Sequence, residues 1–201
     1  MGLLKKYGFM GSVYLLICTI RTKFIFSNAR LIRFPIDIRG KHYITAGKNF
    51  TTGRGCRLEA IPVSESTAEK ILVIGNNVQI NDYVHIAATV SVTIGNHVLM
   101  ASKVYISDVG HGDYGSQSGE TNYPGTAPAL RPLTSRPVII EDNVWLGDGV
   151  CVLPGVTIGK GSIIGANAVV TKNIPPGSIA VGIPAKIIKQ FDEEKKQWLA
   201  V

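Results

Sequence analysis

Four histidines (His42, His85, His97 and His111) and three cysteines (Cys18, Cys56 and Cys151) are the side chains of this 201-residue chain suited to proton transfer or nucleophilic attack near neutral pH. His111 has the most permissive setting. It stands near the start of VGHGDYGSQSGETNYPGTAPALRPLTSRP (109–137), a polar stretch rich in Gly and Pro. The two glycines flanking it let the backbone approach a ligand closely and leave the imidazole accessible. With a reference pKa of about 6.5, an imidazole so placed can take the proton of an attacking hydroxyl. His85 is its rival; with Asp82 it lies in INDYVH (80–85), where the pair could line a pocket or cap a corner. Three cysteines, with no signal-peptide cleavage site, read as free thiols in a reducing, cytoplasmic compartment.

The elements that must position these residues follow from a repeat of six. IGNNVQ, INDYVH and IAATVS run from Ile74, and after a slip of two residues IGNHVL, MASKVY and ISDVGH run from Ile94. Beyond the loop come IEDNVW, LGDGVC, VLPGVT, IGKGSI, IGANAV and VTKNIP from Ile140, with weaker copies at Ile44 and Phe50. The first position is aliphatic or Met and the fifth small or β-branched, so a period of two puts both on one face of a short strand. Gly, Asn and Asp between them turn the chain. Three such units close a triangular coil, and coils stack as parallel strands about 4.7–4.9 Å apart. The spacing therefore predicts an all-β solenoid. The long loop 109–137 interrupts it, and structureless stretches of that length on a rigid scaffold usually carry function.

Composition agrees. An apolar share of 45% excludes intrinsic disorder, and 22 glycines without a Gly-X-Y period exclude collagen. Charge is uneven: residues 1–41 hold eight Lys or Arg against Asp37 alone, a local excess equal to the net +7 of the whole chain. A neutral body argues against nucleic acid, and the basic arm argues for an anionic surface or a few phosphates. Within the arm, YGFMGSVYLLICTI (7–20) is too short for a bilayer span of about 20 residues. It is expected to form a helix that either lies on an anionic membrane or hides its apolar face in protein, by capping an open end of the fold or packing on a neighbouring subunit.

The motifs resemble those of the hexapeptide-repeat acyltransferases over residues 40–190. IEDNVWLGDGVCVLPGVTIGKGSIIGANAVVTKNIPPGSIAVGIPAKIIK (140–189) is similar to the galactoside and maltose O-acetyltransferases, whereas LIRFPIDIRG and INDYVHIAA are closer to the O-acetyltransferases of bacterial surface polysaccharide clusters. The resemblance implies a left-handed parallel β-helix over 41–190; the basic arm over 1–40 replaces the acceptor-binding segment usual in the sugar enzymes, and a short C-terminal helix is expected over 191–201. The resemblance also implies homotrimers with acyl-CoA between subunits. Acetyl-CoA would be the acyl donor and a sugar hydroxyl the acceptor, with no metal; which sugar does not carry over, because loop and arm differ from the sugar enzymes, and the arm itself points to a sugar presented at the membrane as a lipid-linked glycan unit.

Residue by residue, the resemblance makes His111 the base and Asn81 a hydrogen-bonding partner at the active site, with Trp145 near the reacting groups. His85 and Asp82, from their coil, are expected on the acceptor. Asp148 would give a backbone N–H to the oxyanion; the sugar enzymes carry a small hydroxyl residue there, so a carboxylate fits only if its backbone alone faces the site. Ala166, Thr171, Lys172, Lys186 and Lys189 match coenzyme positions, the lysines serving phosphates as point charges. Asp108 could orient the imidazole.

Two other readings belong to the same fold. A zinc-dependent γ-type carbonic anhydrase needs three histidine ligands, and no histidine follows His111. A non-catalytic scaffold would leave the TK-IPP-GIPAK segment without a purpose. No cysteine has a histidine set beside it by the repeat, so direct attack by the acceptor is expected rather than an acyl-enzyme.

Overall fold

In a computed structural model, which describes residues 2–63, 70–114 and 123–201, the hexads form a triangular coil of parallel strands. Sheet I stacks Ile44–Ala46, Leu72–Ile74, Val92–Ile94, Val138–Ile140 and Thr157–Ile158. Sheet II stacks Gln79–Ile80, Leu99–Met100, Trp145–Leu146, Ile163–Ile164 and Ser178–Val181. Sheet III runs Ile36–Arg39, Cys56–Ala60, His85–Ala88, Tyr105–Ser107, Cys151–Val152 and Val169–Val170. The chain visits the sheets in the order I, II, III, so the coil already begins at Ile36, inside the stretch expected to be arm.

First-position residues face inward in register. Ile74, Ile94, Ile140 and Ile158 stack on sheet I, and Ile80, Met100, Leu146 and Ile164 on sheet II, each at most 2% exposed. Fifth-position Val78, Val84, Val98, Val104, Val144 and Val150 are equally buried. The fourth position carries the turn. Asn77, His97 and Asn143 adopt φ near +57° at corner I/II, and Tyr83, Lys103 and Asn167 do so at corner II/III. Third-position side chains tie successive coils together: Asn76 N donates to Asn96 Oδ1 (2.9 Å) and Asn96 N to Asp142 Oδ1 (2.6 Å). Each such bond satisfies a corner N–H that no strand partner can reach.

The arm folds as helix α1, Leu3–Ile25, broken at Gly8, where φ is 67°. Its inner face covers the open end of the coil. Thr22 Oγ1 accepts from Ile32 N (2.7 Å), Tyr14 Oη donates to Phe34 O (2.7 Å), and Leu15, Cys18 and Thr22 are buried. Its outer face stays exposed at Phe9, Met10, Leu16, Ile20 and Phe24. The capping half of the expectation is thus met by one face, and the other face is left free.

The C-terminal helix expected over 191–201 is absent. Lys186–Asp192 pairs antiparallel with Ser178–Val181, and Gln197–Ala200 pairs with it in turn, extending sheet II by a hairpin. Lys196 takes φ 52° in the hairpin turn, and Phe191 packs edge-on to Trp198 at 5.3 Å between ring centres. β-branched Ile187 and Ile188 and the open edge of sheet II outweigh the helical leaning of the charged DEEKKQ run. Lys186 and Lys189 therefore sit on an exposed strand.

Candidate active site

Corner III/I between Tyr105–Ser107 and Val138–Ile140 is where the loop leaves the coil, and a buried carboxylate anchors it. Asp108 is fully buried. It accepts from three consecutive N–H groups, Thr89, Val90 and Ser91 (2.8 Å each), and from Thr89 Oγ1 (2.9 Å). Successive amides converging on a carboxylate make a charge-assisted nest. Asp108 is thus spent on the corner of the preceding coil, which corrects the expectation that it could orient the His111 imidazole. From this anchor Val109–His111 and Leu133–Ser135 rise as an antiparallel hairpin.

His111 sits at the top of that hairpin with its side chain exposed. Its backbone is well fixed. His111 O accepts from Tyr114 Oη (2.6 Å), Arg131 Nη1 donates to the same hydroxyl (2.8 Å), and Thr134 Oγ1 donates to Gly112 O (2.9 Å). Arg131 also gathers Pro124 O and Thr126 O, so one guanidinium ties the far limb of the loop to the histidine's limb. The central loop residues 115–122 lie outside the described residues.

Corner II/III holds a second group of expected site residues: Asn81, Asp82, Asp148 and Ala166, with Ser102 between them. Asp82 Oδ1 accepts from Arg54 N (2.7 Å), and Asp148 Oδ1 from Ser102 N (2.9 Å). Both carboxylates are therefore rungs tying one coil to the next. For Asp148 this answers the difficulty raised by its sequence, since the carboxylate turns toward Ser102. Its own N–H meets no acceptor among the described residues, because the next rung is Ala166, which has no side-chain oxygen. Trp145 stands just before this corner on the outward side of sheet II, 48% exposed, between Leu99 and Ile163.

Sheet III separates the two corners. On its outer surface His85 Nε2 hydrogen-bonds Glu59 Oε2 (2.9 Å), Glu59 Oε1 bridges Arg57 (2.7 Å) and Arg39 (3.0 Å), and the His85 ring meets Tyr105 edge-on at 5.3 Å. Although burial works against it, the bonds from His85 and Arg57 hold the Glu59 carboxyl below its ordinary range. His85 is thus engaged in an ion network, whereas His111 has its imidazole exposed. Thr171 and Lys172 lie exposed at corner III/I, with His111, and not at corner II/III, with Ala166. The structure groups His111 with Thr171 and Lys172, and Asn81 with Asp82, Trp145, Asp148 and Ala166.

Thiol chemistry finds no support. Cys18 and Cys56 are buried, and burial pushes the Cys56 and Cys151 thiols up, away from the reactive thiolate. The His42 ring lies tilted against Tyr43, 3.9 Å between ring centres, and His97 lies beside Asn77 on another corner. Among the described residues no three His, Cys, Asp or Glu side chains gather as a metal site.

Sequence reasoning missed a cavity of about 590 Å³ between α1 and corner II/III, lined by Lys6, Tyr7, Tyr14, Arg33, Arg54 and Asn81 among others. The basic excess of the arm was visible, but nothing in the sequence showed that Lys6 and Arg33 converge with Arg54 beside Asn81.

Residues 137–172 match the family described as bacterial transferase hexapeptide (six repeats). The chain is 44% identical over 196 residues to the "Putative lipopolysaccharide biosynthesis O-acetyl transferase WbbJ" of Escherichia coli (strain K12), covering 98% of this chain and 96% of that one. It is 37% identical over 166 residues to the galactoside O-acetyltransferase of the same strain, covering 82% and 75%. Among solved structures, AntD, an N-acyltransferase from Bacillus cereus in complex with dTDP and 3-hydroxybutyryl-CoA, superposes with a TM-score of 0.68 over 88% of this chain and 89% of that one. At 21% identity that likeness speaks for the fold.

Proposed function

The chain belongs to the bacterial hexapeptide-repeat transferases, and from that premise we propose that it is an acetyl-CoA-dependent O-acetyltransferase acting on a sugar hydroxyl in surface-polysaccharide biosynthesis. The observation that carries this reading is 44% identity sustained over 98% of the chain, which spans the coil, the loop and the arm together. Membership also carries the left-handed winding of the coil.

In this reading His111 takes the proton of the sugar hydroxyl as its oxygen attacks the thioester carbonyl, and the coenzyme thiolate leaves. The Asp148 N–H faces the developing oxyanion, a role that its freedom from other acceptors supports. Asn81 and Trp145 orient the reacting groups, while His85 and Asp82 border the acceptor. Lys172, Lys186 and Lys189 are exposed and in no ion pair among the described residues, which suits them to the coenzyme's phosphates. The groups divide between corners II/III and III/I, and this supports a homotrimer in which one copy gives His111 and its neighbour Asn81.

Acetyl-CoA titrated calorimetrically into the full chain tests the reading without knowledge of the acceptor. Binding by the wild type, weakened about three- to tenfold by Lys172→Ala, is the expected result. No binding by folded protein at millimolar coenzyme would return the chain to the scaffold reading.

The enzyme works at the cytoplasmic face of a membrane in this proposal. Leu4–Ile25 is long and apolar enough to cross a bilayer by composition, but its inner face is bonded to the coil, so lying flat suits it better than spanning. Phe9, Met10 and Phe24 are 72%, 78% and 81% exposed, with Lys5, Arg21 and Lys23 on the same helix. Flotation with anionic vesicles should retain the wild type and lose roughly tenfold in Phe9→Ser/Phe24→Ser. Equal flotation of the two would remove the membrane from the account.

A further inference from the structure

The cavity under α1 is lined by two kinds of group: the cations Lys6, Arg33 and Arg54, and the neutral hydrogen-bonding residues Gln79, Asn81 and Ser102. Arg54 packs its guanidinium on the Tyr14 ring (4.2 Å), and Arg33 Nη1 donates to Thr52 O (2.9 Å), so both are positioned by the fold. None of the three cations forms a salt bridge among the described residues. The one carboxylate lining the cavity, Asp82, is already bonded to Arg54 N. The positive field is also felt by Tyr7: its hydrogen bond with Lys6, aided by Arg33, lowers the phenol below its ordinary value.

Three cations in no salt bridge, outnumbering the single carboxylate and set in one cavity with neutral polar groups, make a site for a phosphate joined to something that hydrogen-bonds without charge. The volume falls within the roughly 300–1,000 Å³ of small-molecule sites. We propose that this cavity binds the acceptor as a phosphate- or diphosphate-linked sugar, with Lys6, Arg33 and Arg54 on the phosphate and the sugar directed to Asn81. That the ligand is the acceptor rests on the acetyltransferase reading; the phosphate site itself does not. The linkage has two sources with the same chemistry, a soluble nucleotide or a membrane lipid, and α1 roofs the cavity with its inner side while its outer side is apolar.

The test is calorimetric titration of the full chain with inorganic pyrophosphate, followed by acetyl-CoA in the same sample. Lys6→Ala/Arg33→Gln is expected to weaken pyrophosphate at least about tenfold and leave acetyl-CoA affinity alone. Lys6→Gln, a change on the exposed helix surface, should weaken pyrophosphate about threefold and guards against misfolding of the double variant. Equal pyrophosphate affinity in all three proteins would overturn the site. Acetyl-CoA failing to bind, with pyrophosphate binding still dependent on Lys6 and Arg33, would instead overturn the acetyltransferase reading and keep the site. Binding of a nucleoside diphosphate hexose is then compared with binding to phosphatidylcholine vesicles doped with an isoprenoid diphosphate. Preference for the first assigns the nucleotide as source, and for the second the lipid; free hexose binding as well as either would overturn recognition of the phosphate.

Discussion

Replacing His111 by alanine should lower the rate of acetyl transfer by about 10²–10⁴-fold, the range expected when a positioned proton acceptor is lost. The fold gives this substitution an unusually clean interpretation. The hairpin is held through backbone groups, with His111 O on Tyr114 and Gly110 paired to Thr134, and through Arg131, so none of its bonds among the described residues uses the imidazole. Acetyl-CoA affinity and thermal stability should therefore stay near wild type, separating loss of chemistry from loss of structure. His85→Ala is the informative comparison. It removes a partner from Glu59 inside the ion network of sheet III, so it should cost stability and acceptor affinity more than turnover. Near-normal turnover in His111→Ala, with turnover lost in His85→Ala, would reverse the assignment.

Much of the coil was legible because a six-residue repeat is a strict inside–outside code. Once Ile74, Ile80 and Ile86 are read as inward, Val78 and Val84 must follow, and all five are buried. The C-terminal hairpin was not legible, since its strands are specified by the open edge of Ser178–Val181, a feature that exists only after the coil has formed. Asp108 misled for a related reason: it lies three residues from His111 in sequence, yet its partners are the amides of the preceding coil. The site residues were assigned one at a time from the resemblance. Their division between two corners, and the meeting of Lys6, Arg33 and Arg54 at Asn81, depend on stacking and on how the arm docks.

The parallel strands of sheet III all start at the Asn81 corner and end at the His111 corner, so four strand residues, about 13 Å, separate the two edges. A proton acceptor must come within about 3 Å of the hydroxyl it serves, so residues on opposite edges of one chain suit a site completed by a second copy. Co-expressing His111→Ala with Asn81→Ala under separable tags tests this. Each variant alone should keep about 1% of activity or less. In a trimer that contains both variants, a competent site needs His111 from one chain and Asn81 from its neighbour, which about one interface in three provides. Purified mixed trimers should therefore recover roughly a third of wild-type activity, a gain of about 30-fold or more over either parent. Activity no greater than the mean of the two parents would mean that each chain carries its own complete site, with the loop folding back across sheet III to reach Asn81.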